Sequence, residues 1–155
     1  MKNKALGIIT AMSLTLSCVE LQAAQLSKLI GSWQGNGRAQ FADNKNERIK
    51  CNAYYTGESD QLNIVVRCAS TNYNIHLRSK LQKDGNRLSG TWEERTFNLL
   101  GDANGVISHN KVRLTVSGPL QALMTVNYST SNQTVNIRAN GSQLEVVSIN
   151  LNRMQ

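Results

Sequence analysis

From residue 31 onward the chain alternates apolar and polar positions with a period of two, as expected of strands with one face buried and one wet. In Gly31-Ser32-Trp33-Gln34-Gly35-Asn36-Gly37-Arg38-Ala39-Gln40-Phe41 the odd positions are apolar or tiny and the even ones polar. Gly35 and Gly37 fall on the buried side, where they leave room for a bend or a neighbouring side chain. Ile49, Cys51, Ala53 and Tyr55 share one face of a second strand, and Leu62, Ile64, Val66 and Cys68 one face of a third. Tyr73, Ile75, Leu77 and Leu81 mark a fourth, and Leu88, Gly90 and Trp92 a fifth. The same pattern returns at 111–116, 122–128, 134–139 and 144–152.

Turn residues separate these runs at Asp43-Asn44-Lys45-Asn46, Asp84-Gly85-Asn86, His109-Asn110 and Asn140-Gly141-Ser142. Gly101-Asp102-Ala103-Asn104-Gly105 reads as a break near the sixth strand. The one helical signal after the leader is a turn at 25–29. Eight to ten short strands with short connections predict an all-β fold, an antiparallel up-and-down β-barrel that closes to remove its edges. A β-sandwich is the alternative, and the sequential hairpin spacing favours the barrel.

The first residues read differently. Lys2 and Lys4 precede an apolar stretch from Ala5 to Leu16, and Leu21-Gln22-Ala23-Ala24 offers small residues for cleavage. This predicts a signal peptide over 1–23 and a single domain over 24–155. Leu16-Ser17-Cys18 raises a lipid anchor at Cys18, but Thr15 stands where such signals usually carry leucine. Cleavage removes Lys2, Lys4 and Glu20, leaving 15 Lys and Arg against 9 Asp and Glu, a net charge of +6. The expected location is periplasmic or secreted, in a bacterium.

Export makes a disulfide the default for the two remaining cysteines. If the chain turns between Tyr54 and Asp60 so that Cys51 opposes Cys68, then Ala53 opposes Val66 and Tyr55 opposes Ile64. Two apolar stripes and two sulfurs come into line in one register. Cα atoms directly opposed in a non-hydrogen-bonded pair lie about 4.5 Å apart, within disulfide reach.

The sequence offers little to a reaction. His76 lies on a polar strand face and His109 in a turn, neither near a nucleophile motif, and no group has metal-ligand spacing. We therefore expect no enzyme activity, no catalytic residues, no metal and no cofactor. Glu94 shares the inner face with Trp92 and would need a cationic partner, a ligand or water at a rim. On the outer face Lys50, Arg67, His76 and Arg78 form a basic patch for an anionic envelope component, or simply a solvated surface. Aromatic residues are not interleaved with these charges, so nucleic acid is not an expected partner.

The opening Gly31-Ser32-Trp33 and the meander after it resemble the calycin barrels, the group of lipocalins and avidins. That resemblance implies that Trp33 packs at the closed barrel end under an arginine from near the C-terminus, matched by Arg153 with Arg138 as the fallback. The segments 31–37, 47–51, 67–70 and 89–94 also resemble a set of small exported bacterial proteins of unknown function, which implies fold and compartment but no activity. Two functions follow as expectations. The first is a monomeric barrel holding a small apolar or amphiphilic ligand, with Trp33, Trp92 and Glu94 lining or supporting the site. The second is a protein-binding or envelope-integrity factor, protease inhibitors included, acting through its outer surface.

Overall fold

A computed structural model describes residues 26–58 and 60–155; the expected signal peptide and Cys18 lie outside them. Ten strands follow one another: β1 (Gly31–Phe41), β2 (Asn46–Thr56), β3 (Gln61–Ala69), β4 (Asn74–Asp84), β5 (Arg87–Glu94), β6 (Leu99–Ser108), β7 (Lys111–Ser117), β8 (Gln121–Tyr128), β9 (Asn132–Asn140) and β10 (Leu144–Arg153). Each pairs antiparallel with its sequence neighbour, and β1 pairs with β10 to close the barrel. Closure satisfies every edge, which is why so many half-polar strands are stable together.

The inner stripes build the core. Trp33, Tyr55, Leu62, Ile64, Leu88, Leu114, Val126, Ile149 and Leu151 are almost fully buried. At Gly35 a side chain has no room, because a Cβ there would lie 1.9 Å from the Asn150 carbonyl oxygen. The space is taken by the backbone of β10, so this glycine serves the bend of the sheet. Cys51 opposes Cys68 with Ala53 on Val66 and Tyr55 on Ile64. The disulfide forms in that register, its Cα atoms 4.1 Å apart.

One expectation needs correction. Residues 101–105 are not a break but lie within β6, paired to both β5 and β7. The two glycines face inward, where the neighbouring strands press closest.

Because hairpins alternate, the barrel has two unlike ends. At one end are the connections β2–β3, β4–β5, β6–β7 and β8–β9, both chain ends of the barrel, and a helical turn at 26–29. Leu26 and Leu29 of that turn are buried in the core, and the Trp33 indole N–H donates to the Leu29 carbonyl at 2.9 Å. Arg153 lies 4.3 Å over the Trp33 ring. Its guanidinium also donates to the carbonyls of Thr130 at 2.7 Å and Ile30 at 2.8 Å, and to that of Lys28. This end is stoppered.

Candidate functional site

The other end is different. Of the five connections there (β1–β2, β3–β4, β5–β6, β7–β8 and β9–β10), the last four, together with the tip of β1, line an apolar cavity of about 380 Å³. Phe41 enters from the end of β1, and Tyr73 and Ile75 from the β3–β4 turn and β4. Phe97 and Leu99 come from the β5–β6 side, Pro119 and Leu120 from the β7–β8 turn, and Ser142, Gln143 and Leu144 from the β9–β10 turn. Tyr73 stacks on Phe41 with ring centroids 4.8 Å apart. Phe97 is 58% exposed and Tyr73 38%, large values for aromatic rings, so the two form a rim that solvent reaches.

Glu94 is the charged residue of this wall, and it is only 7% exposed. Its carboxylate accepts the backbone N–H of His76 at 2.7 Å through one oxygen and that of Phe97 at 2.7 Å through the other. Two backbone donors supply what a cationic partner would have supplied, so the charge is tolerated beside apolar walls. The same bonds fix the β5–β6 turn and with it the position of Phe97. Across the barrel wall, Glu47 accepts from the Ser70 hydroxyl and from the Asn72 amide at 2.6 Å, pinning the turn that carries Tyr73. These bonds, that from Ser70 first, hold the Glu47 carboxyl below the usual range.

The three residues expected at the ligand site are thus separated. Glu94 lines the cavity. Trp92 sits one inward step deeper, buried, its indole N–H donating to the Ser117 carbonyl at 3.0 Å. Trp33 belongs to the stoppered end, under Arg153, and does not line the cavity. Phe41, Tyr73 and Ile75 stand out in the strand pattern only as members of apolar stripes, and Phe97, Pro119 and Leu120 lie in turns outside it. Their shared signal is that alternate connections of a meander fall on one end, and apolar residues recur in those connections or at the strand ends beside them.

The expected basic patch is partly internally satisfied. Arg67 opposes His76 across β3 and β4, and its Nε–H donates to His76 Nε2 at 3.4 Å. Arg78 lies 3.6 Å from the Glu93 carboxylate. Partial burial, then the charges of Arg67, Arg95 and Arg78, hold the His76 imidazole below the usual histidine range. Lys50 projects from β2 and lines an outer groove with Arg38 and Arg48. Among the described residues no three His, Cys, Asp or Glu side chains are grouped as metal ligands.

No protein-family model matches the sequence, and no curated protein does. Solved structures resemble it. Rv2717c from M. tuberculosis superposes with a TM-score of 0.62 at 12% identity, over 86% of this chain and 98% of its own. The S-type phycobiliprotein lyase CPES from Guillardia theta superposes with a TM-score of 0.55 at 10% identity, over 90% of this chain and 94% of its own. At such identities the likeness is one of fold.

It corrects one expectation nonetheless. The absence of a catalytic motif led us to expect no enzyme activity, yet a barrel of this fold is a lyase. The barrel fold is therefore no argument against catalysis. The disulfide agrees with an oxidising compartment. The chain is a closed, disulfide-linked, ten-strand antiparallel barrel, similar in fold to Rv2717c and to the phycobiliprotein lyase.

Proposed function

We propose that the protein takes the apolar part of a small apolar or amphiphilic molecule into the open end of the barrel, as an exported monomer of the bacterial envelope or its surroundings. The observation that carries this reading is the apolar cavity of about 380 Å³ framed by four turns of one end and the tip of β1. Its volume lies in the range of about 300–1,000 Å³ typical of small-molecule sites. The opposite end is stoppered by Leu29, Trp33 and Arg153, so entry is from one side. Glu94 acts as a positioning residue, holding the turn that carries Phe97. Ser142 and Gln143 supply polar groups beside the apolar walls, as an amphiphile requires. The lyase likeness adds that such a barrel can serve a reaction on what it holds.

The test uses native mass spectrometry on protein purified from its own compartment, followed by titration with the neutral apolar dye Nile red. Leu120→Trp fills the cavity, whereas Leu123→Trp adds the same bulk on the exposed outer face of β8. The expected result is an added mass lost on denaturation, and dye binding abolished by L120W and retained by L123W. Dye binding unaffected by L120W would overturn the proposal.

A further inference from the structure

A second depression lies on the outside of the barrel, where β10, β1 and β2 meet the β3–β4 turn. It has a volume of about 860 Å³ and is lined by outward-facing Arg38, Arg48, Lys50, Asn36, Ser148 and Asn150, with the backbone of the inner-facing positions beneath. The register makes the arrangement specific. Arg38 of β1 stands directly opposite Arg48 of β2, and Asn36 opposite Lys50. On the other side Arg38 faces Ser148 and Asn36 faces Asn150 of β10. Two rows therefore run across the sheet, one Ser148–Arg38–Arg48 and one Asn150–Asn36–Lys50.

Like charges directly opposed on one face of a sheet repel. A surface usually relieves this with a nearby carboxylate, but none lines the groove. The ion pairs among the described residues are Lys45–Asp43 and Arg78–Glu93, neither involving these three cations. Glu47, next to Arg48 in the chain, does not line the groove, and its carboxylate is committed to the Ser70 hydroxyl and the Asn72 amide of the β3–β4 turn. Three cations are thus held together in a concavity whose other polar side chains are two amides and three hydroxyls, neutral groups that do not compete for an oxyanion's charge.

We infer that this groove binds a phosphate group, with Arg38 and Arg48 as paired forks, Lys50 as a third charge, and Asn36 and Asn150 as neutral donors. Guanidinium forks match the oxygen spacing of phosphate and bind it bidentately. A doubly charged anion also removes the Arg38–Arg48 repulsion, which a singly charged carboxylate does less well. The site is independent of the apolar mouth and lies on the opposite surface of the wall.

A free phosphate and a lipid headgroup share this chemistry, and two probes separate the sources in experiments on the whole protein at low salt. One is inorganic pyrophosphate, followed by calorimetry and by the shift in thermal midpoint. The other is phosphatidylcholine vesicles with and without phosphatidic acid, followed by cosedimentation. The variant is R38Q/R48Q, and the charge-matched control is R87Q/R113Q, two exposed arginines of β5 and β7 outside the groove. Binding of either probe by the wild type, weakened about tenfold or more in R38Q/R48Q and unchanged in the control, supports the inference. Pyrophosphate alone identifies free phosphate, and retention on phosphatidic acid vesicles alone identifies a headgroup. Equal weakening in the variant and the control would reduce the effect to net charge, and no binding of either probe by the wild type would also overturn it. R38Q/R48Q loses no ion pair and relieves a repulsion, so its thermal midpoint without ligand should not fall; this separates lost binding from lost fold.

Discussion

The tyrosines of the stoppered end show how much a single polar atom decides inside a barrel. Tyr55 is fully buried and its hydroxyl donates to Gln133 Oε1 at 2.9 Å, while the amide nitrogen of the same glutamine has no partner. Burial raises the Tyr55 phenol far above its ordinary range, against the smaller effect of the Gln133 bond, and pushes Tyr128 up to about 12. The folded protein therefore keeps two protons that the unfolded chain releases near pH 10. Since the unfolded state then binds fewer protons, stability falls as pH rises, starting near the unfolded value. We expect the thermal midpoint to be insensitive to these groups below about pH 9 and to fall steeply above about pH 10. Tyr55→Phe should make that alkaline limb shallower, while costing about 1–3 kcal/mol at neutral pH for the orphaned Gln133 oxygen. Denaturant unfolding across the pH range measures both.

At the scale of elements, the β2–β3 hairpin and β6 make opposite points. In the hairpin, one register satisfies the apolar stripes and the sulfurs together, so local pattern and covalent chemistry agree. Cys51 and Cys68 are 17 residues apart in sequence, and closing a loop of that size stabilises by about 3 kcal/mol in the chain-entropy model. Reduction, or the double change Cys51→Ala with Cys68→Ala, should lower unfolding stability by about that amount while leaving the far-ultraviolet spectrum that of a β-barrel. An unchanged denaturation midpoint would refute it. In β6 the local signal misleads. Gly101 looks like a turn residue, yet a Cβ there would sit 1.9 Å from the Ser117 carbonyl oxygen and 2.8 Å from the Trp92 indole nitrogen. The glycine is required by a neighbour 9 residues back in the chain and another 16 ahead, a demand no window of sequence displays.

For the whole molecule, the decisive feature is that the two ends are closed by different means. Arg153 ties the last strand to carbonyls of Lys28, Ile30 and Thr130 while covering Trp33. The mouth has turns held by single carboxylates, Glu94 and Glu47, around a cavity. Local opening should therefore be polarised. In hydrogen exchange we expect the backbone amides of β1 and β10 around Trp33 and Arg153 to exchange near the rate of global unfolding, and those of the 95–98 and 118–120 turns to exchange far faster. Ligand in the mouth should slow the turns selectively. Uniform protection at both ends would contradict this account.

The sequence by itself determined the period-two strands, the antiparallel closed barrel and the Cys51–Cys68 register. All of these follow from side-chain alternation and nearest-neighbour hairpins, which are local physics. The tertiary structure decided where the cavity lies, that Glu94 reaches it while Trp33 stands at the other end, and that Arg38 and Arg48 confront each other. It also decided that 101–105 is strand. Those outcomes depend on closing β1 onto β10 and on which turns share an end, so they join residues far apart in the chain, and alternation along a single strand carries no information about them.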